Sequence, residues 1–154
     1  MNILVTGCSG QLGSEIQYLA NNFPNHNYFF SDIAFKEDIS LIPTSSNKHY
    51  AILDIGDIET LRTTFQVNNI NLIINCAAYT NVEKAEDDRD ATYNLNVNAV
   101  SNLATVAKEY GAKMIHISTD YVFNGKGYRP YKENKITNPI NYYGLTKWQG
   151  EECV

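Results

Sequence analysis

Three pairs in the sequence place a lysine four residues after a tyrosine, a spacing that can support acid–base chemistry. They are Tyr128/Lys132, Tyr131/Lys135 and Tyr143/Lys147. Pro130 lies inside the first pair and disfavours a regular helix there, and the second pair lies in a polar stretch before Pro139. Only Tyr143 and Lys147 fall in a predicted helix, where residues four apart share a face. Tyr142 is five residues from Lys147 and would point elsewhere.

The pair Tyr143/Lys147 is suited to proton transfer. A lysine ammonium favours the phenolate form of a neighbouring tyrosine, and such a tyrosine can give its proton to a carbonyl oxygen as hydride arrives at the carbon. Lys147 could also hold the ribose of a nicotinamide. We expect Ser118 and Thr119 to end a strand, where their hydroxyls could polarise a substrate carbonyl. The alternative is that they only cap the strand end.

Three glycines follow the first predicted strand and lead into the first predicted helix. Gly7, Gly10 and Gly13 form the pattern G-x-x-G-x-x-G between residues 2–6 and residues 11–22. Glycines at these places allow a tight turn and a close approach of the backbone to a pyrophosphate, which the helix N-terminus then attracts. The alternative is a glycine-rich turn that binds nothing, but the strand–turn–helix context favours a dinucleotide.

Acidic residues follow the next two predicted strands. Asp32 lies about 20 residues beyond the glycines, where a carboxylate can bind the ribose hydroxyls of adenosine. Its charge favours NAD, while the nearby Lys36 leaves NADP open. Asp54 and Ile55 follow the third strand and could contact the adenine. For each acid, the alternative is a solvated turn residue.

The elements that must position these residues alternate between strand and helix. We predict strands at 2–6, 27–32, 50–53, 71–75 and 112–118, with helices at 11–22, from an N-cap at Asp57, at 90–110 and from about Asn141 to the end. Residues 33–50 and 119–140 are predicted to be mostly loop. Because the strands are continuous apolar runs, this order predicts an α/β fold with a doubly wound parallel sheet.

Composition and charge argue against several classes of protein. The 154 residues carry a net charge of −5 without a basic excess, unlike a nucleic-acid-binding protein. No apolar run approaches the roughly 20 residues that span a bilayer, and the first residues lack a signal-peptide pattern. The cysteines, Cys8, Cys76 and Cys153, show no metal-binding spacing and fit free thiols. We therefore expect a cytoplasmic protein, and the residues indicate no metal site.

Four segments spread over the chain resemble a known family. They are VTGCSGQLG (5–13), NCAAYTNVEKAE (75–86), HISTDYVFNG (116–125) and YYGLTKWQGE (142–151). Together they resemble the extended short-chain dehydrogenase/reductase family, and within it the dTDP-4-dehydrorhamnose reductase branch. The patterns AYT-x-V-x-K-A-E and STDYVF separate this branch from the sugar epimerases, which differ at both places.

The resemblance implies a Rossmann-like fold and NADPH or NADH as cofactor. The implied reaction is reduction of the 4-keto group of dTDP-4-dehydro-L-rhamnose to dTDP-L-rhamnose, a step of polysaccharide biosynthesis. Two alternatives remain open: a reductase of another nucleotide-activated sugar, and a regulatory subunit that binds the cofactor without catalysis. The implied partners are a nucleotide-sugar substrate and a second copy of the chain in a homodimer.

The resemblance also assigns roles to individual positions. Cofactor binding is assigned to Gly7, Gly10, Gln11, Leu12, Gly13, Asp32, Ile33, Asp54, Ile55, Ala77, Ala78, Tyr79, Tyr143 and Lys147, with Thr80 as a further candidate. Catalysis is assigned to Tyr143 as the acid, Lys147 as its partner, Thr119 as the hydroxyl on the substrate carbonyl and Ser118 as its alternate. Substrate contacts are assigned to Thr119 and, more weakly, to Val82 and Lys84, which could instead belong to a helix start with exposed charges.

One departure from the family concerns length. Its members are about twice as long, and the half without a counterpart here forms most of the nucleotide-sugar site. We therefore expect residues 1–154 to be the dinucleotide-binding domain alone, with one uncovered edge of the sheet.

Overall fold

A computed structural model describes residues 1–35, 45–127 and 129–154. Lys36, which left NADP open as a cofactor, and Tyr128, the first member of a Tyr/Lys pair, lie outside these described residues. In the described ranges, no helix is both long enough and apolar enough to cross a bilayer.

Five parallel strands form a single sheet, which confirms the predicted doubly wound fold. The strands are β1 (Asn2–Thr6), β2 (Asn27–Asp32), β3 (Lys48–Ile52), β4 (Leu72–Asn75) and β5 (Lys113–His116). Their order across the sheet is β3-β2-β1-β4-β5, and every neighbouring pair is parallel. From β1 the chain adds β2 and then β3 on one side of the sheet. It then returns to β1 and adds β4 and β5 on the other side. Ligands in such sheets bind beyond the carboxyl ends of the strands where the direction reverses, here between β1 and β4.

The helices that connect the strands are mostly short. They are α1 (Gln11–Leu19), α2 (Ile58–Asn68), α3 (Lys84–Asp87), α4 (Arg89–Tyr93), α5 (Ala99–Tyr110) and α6 (Tyr142–Glu151). Asp57 caps α2 as predicted, since its carboxylate accepts from the N–H groups of Glu59 and Thr60. The last helix ends at Glu151, whereas the prediction was a helix that runs to the end of the chain.

Apolar layers cover both faces of the sheet. On one face Leu4 of β1 and Ile73 of β4 pack with Leu61 and Phe65 of α2 and with Leu103 of α5. On the other face Ile3, Val5 and Phe30 pack with Ala20 beyond α1. Because β1 is buried on both sides, it reads as a continuous apolar run in the sequence.

Strand β3 begins earlier than predicted. It covers Lys48–Ile52, whereas the sequence pattern indicated residues 50–53. A cross-strand contact of His49 accounts for the earlier start, because His49 stacks on Phe29 with 4.9 Å between ring centroids. The next residue, Tyr50, stacks on Phe30 at 5.4 Å. Such pairs stabilise adjacent strands, and a polar sequence such as Asn47–Lys48–His49 gives no sign of them.

The predicted long helix at 90–110 is interrupted. It starts as α4, widens into a π-helix at Asn94–Asn98 and continues as α5. Asn96 in the π-helix uses its side chain outside the helix, accepting from the N–H of Tyr79 at 2.8 Å and donating to the carbonyl of Tyr79 at 3.2 Å. A π-helix of this kind often occurs at a functional site.

Strand β5 is shorter than predicted and lies at one edge of the sheet. It ends at His116, so Ser118 and Thr119 lie beyond the strand and do not end it, contrary to the prediction. Ile115 on this strand is 48% exposed. An uncovered edge was expected, and within the described ranges β5 pairs only with β4.

Candidate active site

The glycine loop joins β1 to α1 with very little space around it. Gly7 has a φ of 66°, and a Cβ on this residue would lie 2.6 Å from the backbone nitrogen of Ala77. A Cβ on Gly13 would lie 2.5 Å from the Cα of Cys8. The first position therefore needs a residue without a Cβ for its conformation, and both need one for their close packing.

A cavity of about 740 Å³ lies above the carboxyl ends of the central strands, next to this loop. It is at the reversal point between β1 and β4, where this fold binds ligands. Most of the residues predicted to bind a cofactor line it: Gly7, Gly10, Gln11, Leu12, Gly13, Asp32, Ile33, Asp54, Ile55, Ala77, Ala78 and Thr80.

Five lining residues were missed by the sequence analysis. They are Thr6, Glu15, Leu53, Cys76 and Leu95. Thr6, Leu53 and Cys76 could have been found, because each lies at the end of a strand or directly after it. Leu95 carries no such signal, since its place in the cavity depends on the π-helix.

The two aspartates that line the cavity also brace its walls. One oxygen of Asp32 accepts from the N–H of Ser9 in the glycine loop at 2.9 Å, and the other accepts from Ile33 at 2.8 Å. Asp54 accepts from the N–H of Gly56 at 2.7 Å. Each carboxylate oxygen has a second lone pair, so these contacts leave Asp32 able to accept from a ligand hydroxyl.

Two thiols near the cavity stay protonated at neutral pH. Burial, helped by the negative charge of Asp32, raises the pKa of Cys8 to about 12. Burial also raises the pKa of Cys76. Since the thiolate is the nucleophilic form, neither cysteine is suited to nucleophilic catalysis in this state. All three cysteines of the chain are free.

Tyr143 and Lys147 lie one turn apart on α6, and both are buried. The side chain of Asn141 begins this helix by accepting from the N–H of Gly144 at 2.7 Å. The ring of Tyr143 meets the ring of Tyr121 edge to face, with 5.6 Å between centroids. Lys147 is only 2% exposed. These two residues lie outside the lining of the 740 Å³ cavity.

The Lys147 amine has polar neighbours on β5 and just beyond it. Its Nζ donates to the carbonyl of Ile117 at 2.6 Å and lies 3.3 Å from Nε2 of His116. Burial lowers the pKa of Lys147 to about 8, against the opposing effect of Glu151. Burial, followed by the charge of Lys147, lowers the pKa of His116 to about 4. His116 was not singled out as a site residue from the sequence.

Close packing at two glycines holds α6 in this position. A Cβ on Gly144 would collide with the carbonyl oxygen of Tyr121, and one on Gly150 would collide with the carbonyl oxygen of Asn96. The side chain of Asn96 also donates to Thr146 at 3.1 Å. The π-helix is therefore the surface against which the Tyr143/Lys147 helix is seated.

The two candidate hydroxyls have partners within the chain. Thr119 accepts from the N–H of Tyr121 at 3.2 Å and so caps the short 3₁₀-helix Asp120–Val122. The sequence left open a cap at the strand end, whereas Thr119 caps this 3₁₀-helix beyond the strand. The Ser118 hydroxyl donates to the carboxylate of Glu151 at the end of α6.

Tyr79, Val82 and Lys84 also lie outside the lining of the cavity, as does Thr119. The Tyr79 hydroxyl donates to Asp88 at 3.0 Å, and the Lys84 amine lies 3.6 Å from the same carboxylate. Lys84 begins α3 and is largely exposed. The segment thus has the form of the alternative considered above, a helix start with exposed charges.

Glu86 in the same segment was missed by the sequence analysis. Its carboxylate accepts from the N–H of Tyr142 at 2.7 Å, which lowers the pKa of Glu86. The guanidinium of Arg89 lies 4.8 Å from the centre of the Tyr142 ring. The segment 84–89 therefore fixes the first residue of α6, and Tyr142 points away from Lys147 as predicted.

The other two Tyr/Lys pairs are not part of this arrangement. Tyr131 lies in a loop, where its ring stacks on Phe123 at 4.3 Å and its hydroxyl accepts from the N–H of Gly127. The pair Tyr131/Lys135 is therefore not on a helix, as expected from Pro139. The pair Tyr128/Lys132 involves a residue outside the described ranges.

Comparison with known proteins identifies the family. A chain described as dTDP-4-dehydrorhamnose reductase from Salmonella typhimurium is 35% identical over 154 residues, which is all of this chain and 46% of that protein. A subunit described as methionine adenosyltransferase 2 subunit beta from Bos taurus is 35% identical over 158 residues, covering 99% of this chain and 42% of that one. The chain thus spans about half the length of the curated relatives it matches.

A solved structure agrees with these relatives. The crystal structure of dTDP-4-dehydrorhamnose reductase from Bacillus anthracis in complex with NADP matches with a TM-score of 0.82 and 35% identity, over 99% of this chain and 48% of that chain. A family model described as RmlD substrate binding domain matches residues 1–154. On these matches, which cover the whole chain, the protein belongs to the RmlD substrate binding domain family.

Proposed function

We propose that this chain is the dinucleotide-binding part of an NAD(P)H-dependent reductase of nucleotide-activated 4-keto sugars. The proposed reaction is reduction of dTDP-4-dehydro-L-rhamnose to dTDP-L-rhamnose. The observation that carries the proposal is a glycine-lined cavity at the β1/β4 reversal point in the same domain as a buried tyrosine–lysine helix. The reductase from Salmonella typhimurium and the NADP complex from Bacillus anthracis support it.

The residues of the cavity fit a dinucleotide. A Cβ at Gly7 or Gly13 would collide with the neighbouring backbone, so the loop carries no side chain at these two positions. A pyrophosphate could therefore lie against the loop, at the N-terminus of α1. Asp32 would accept from the adenosine ribose, and Asp54 and Ile55 would lie beside the adenine. Ala77, Ala78 and Tyr79 would follow the cofactor beyond β4. The NADP complex of the relative supports NADPH, and NADH remains the alternative.

Tyr143 would supply the proton to the substrate oxygen. A bound nicotinamide supplies the hydride, and the remaining tasks fall to the side chains of this domain. The Lys147 ammonium, one turn from Tyr143, would hold the nicotinamide ribose, and its charge would promote proton loss from the phenol. Thr119 would hydrogen-bond the substrate carbonyl, with Ser118 as the alternate. Val82 and Lys84 would contact the sugar nucleotide.

The competing function is a regulatory subunit that binds the cofactor without catalysis. Sequence identity does not separate the two functions, because the reductase and the methionine adenosyltransferase subunit are equally similar to this chain at 35%. The geometry favours a catalyst. Lys147 would hold the nicotinamide ribose in either function, but Tyr143 places a proton donor one turn from that lysine on α6, and cofactor binding alone does not need a proton donor.

The test compares Tyr143→Phe with Tyr142→Phe, in the catalytically competent protein and with dTDP-4-dehydro-L-rhamnose. Removing the hydroxyl that donates the proton should lower kcat by about 10²–10⁴-fold. Cofactor binding, followed by nicotinamide fluorescence on titration with NADPH and NADH, should stay within a few-fold of the unchanged protein. Tyr142 points away from Lys147 toward Arg89, so its variant should keep full turnover.

Two results would contradict the proposal in different ways. Normal turnover by Tyr143→Phe would remove this tyrosine as the acid. Failure of the folded, unchanged protein to bind either dinucleotide would remove the reductase function itself.

A further inference from the structure

A line of hydrogen bonds crosses the sheet and ends at the Lys147 amine. The Thr6 hydroxyl donates to Oδ1 of Asn75 at 2.6 Å, Nδ2 of Asn75 lies 2.9 Å from Nδ1 of His116, and Nε2 of His116 lies 3.3 Å from Nζ of Lys147. The line thus joins β1, β4 and β5 to α6. Thr6 and Asn75 are each 1% exposed, so the line is shielded from water over most of its length.

A backbone contact decides which way the Asn75 amide faces. The N–H of Ala77 lies 3.2 Å from Oδ1 of Asn75, and a backbone N–H can only donate. The amide oxygen must therefore face Ala77, and the amide NH₂ must face His116. Nδ1 of His116 consequently accepts a hydrogen bond and carries no proton.

This fixes the form of the imidazole. A neutral imidazole has one proton, so with Nδ1 accepting, the proton is on Nε2. The pKa of His116 is lowered to about 4 by burial and by Lys147, so the ring is neutral near pH 7. The N–H at Nε2 then points at Nζ of Lys147. A neutral amine has a lone pair that accepts this bond, whereas an ammonium has only donors.

We propose that His116 is a positioning residue for Lys147: the Asn75 amide fixes the imidazole in its Nε2–H form, and this N–H favours the uncharged amine of the lysine over its ammonium in the cofactor-free protein. The second contact of the amine, its donation to the Ile117 carbonyl at 2.6 Å, sets its direction. Two contacts from the β5 segment thus place the nitrogen that would serve Tyr143. The catalytic meaning of this arrangement rests on the proposed function, but the arrangement itself does not.

The charged and titratable groups around the amine act in opposite directions. Glu151, one turn further along α6, favours the ammonium, although its carboxylate is shared with the Ser118 hydroxyl. Tyr143 lies one turn earlier on the same helix. On β5, His116 contacts the amine, whereas Lys113 begins the strand and is exposed. Glu86 and Arg89 lie at the first turn of α6, near Tyr142. Burial of the amine outweighs the attraction of Glu151.

The first experiment determines the protonated nitrogen of His116 by heteronuclear NMR of the histidine ring nitrogens in the 154-residue chain without cofactor. We expect the proton on Nε2 and a bare Nδ1 throughout the neutral range. A ring with its proton on Nδ1, or a doubly protonated ring at pH 7, would overturn the proposal.

The second experiment measures the titration of Lys147 by competitive acylation and mass spectrometry from about pH 6 to about pH 10. In His116→Gln an amide oxygen can turn toward the amine and stabilise the ammonium, so the apparent pKa of Lys147 should rise by about one unit. The matched control is His49→Gln, an exposed position on β3, which should leave this pKa unchanged. An unchanged Lys147 titration in folded His116→Gln contradicts the proposal.

These readouts use no cofactor and no substrate. A chain with the expected tautomer and titration that fails to bind a dinucleotide would contradict the proposed function and leave the role of His116 intact. A chain that binds a dinucleotide but shows a different tautomer or an unchanged titration would contradict the role of His116 and leave the proposed function intact.

Discussion

Gly7 and Gly125 have nearly the same left-handed backbone, with φ values of 66° and 68°, but very different surroundings. A Cβ on Gly7 would lie 2.6 Å from the nitrogen of Ala77, whereas a Cβ on Gly125 would meet nothing within 4 Å. The two glycines thus separate the cost of a backbone conformation from the cost of a collision. Gly7 lines the cavity, whereas Gly125 lies in the loop after β5.

This contrast leads to a prediction for Gly7→Ala and Gly125→Ala. Both changes should cost about 1 kcal/mol for the left-handed backbone, and Gly7→Ala should cost about 1–3 kcal/mol more because the backbone of Ala77 must move. Only Gly7→Ala should also abolish binding of NADPH. Urea unfolding and fluorescence titration measure the two effects. Equal losses of stability in the two variants would show that the contact with Ala77 relaxes easily.

At the scale of elements, the π-helix and α6 form a unit that the sequence did not reveal. Gly150 of α6 lies directly against the carbonyl of Asn96, and Thr146 accepts from the Asn96 side chain. The widened turn presents backbone polar groups that an α-helix would use internally. The position of Lys147 therefore depends on two helices that are about fifty residues apart in the sequence.

Gly150→Ala tests this contact through the sign of its effect. In a free helix, replacing glycine by alanine stabilises by up to about 1 kcal/mol. Here the added methyl collides with the Asn96 carbonyl, so we expect a loss of about 1–3 kcal/mol in the free energy of unfolding. Gln149→Ala, in the same turn, should change it by less than about 0.5 kcal/mol. A stabilised Gly150→Ala would show that α6 is not seated on the π-helix as described.

Local sequence patterns predicted those features that depend on neighbours along the chain. The parallel sheet followed from continuous apolar strands, the cap of α2 from Asp57, and the surroundings of the cavity from Gly7 and Gly13. The predictions that were wrong concern features that depend on contacts between residues distant in the sequence. The earlier start of β3 depends on His49 meeting Phe29, and the π-helix depends on Asn96 reaching the backbone of Tyr79.

The same distinction between local and distant contacts applies to the residues of the candidate site. Tyr143 and Lys147 were found because a helix places residues four apart on one face. His116 was missed because its importance comes from Asn75 on one side and Lys147 on the other, which meet it only in the folded sheet. A histidine within an apolar strand gives no sign of such partners.

For the whole molecule, the buried imidazole links stability to pH. The pKa of His116 is about 4 in the folded protein, mainly because of burial, against an ordinary value of 6.5. Between these two pH values the unfolded chain binds more protons than the folded one. Stability must therefore fall as the pH drops below about 6.5. At pH 5 this one group should remove about 2 kcal/mol of the free energy of unfolding.

The prediction is a smaller acid sensitivity in His116→Gln. Its free energy of unfolding should fall less between pH 7.5 and pH 5 than that of the unchanged protein, by about 2 kcal/mol. The carboxylates of the chain contribute equally in both proteins and cancel in the comparison. His49→Gln, at an exposed position, should retain the full acid sensitivity. Urea denaturation at each pH provides the measurement, and parallel pH profiles for His116→Gln and the unchanged protein would contradict it.

The central place of β1 in the sheet also has a consequence for synthesis on the ribosome. Thr6 of β1 and Asn75 of β4 bond to one another although they are 69 residues apart. At roughly 5–20 residues per second, the nascent chain needs about 3–14 s to extend from one to the other. During that interval Leu4, which packs with Ile73 of β4 and Leu103 of α5 in the finished sheet, lacks the strand and the helix that carry those residues. Of the five strands, β1 thus waits longest for its second neighbour, and part of its apolar surface stays uncovered for that interval.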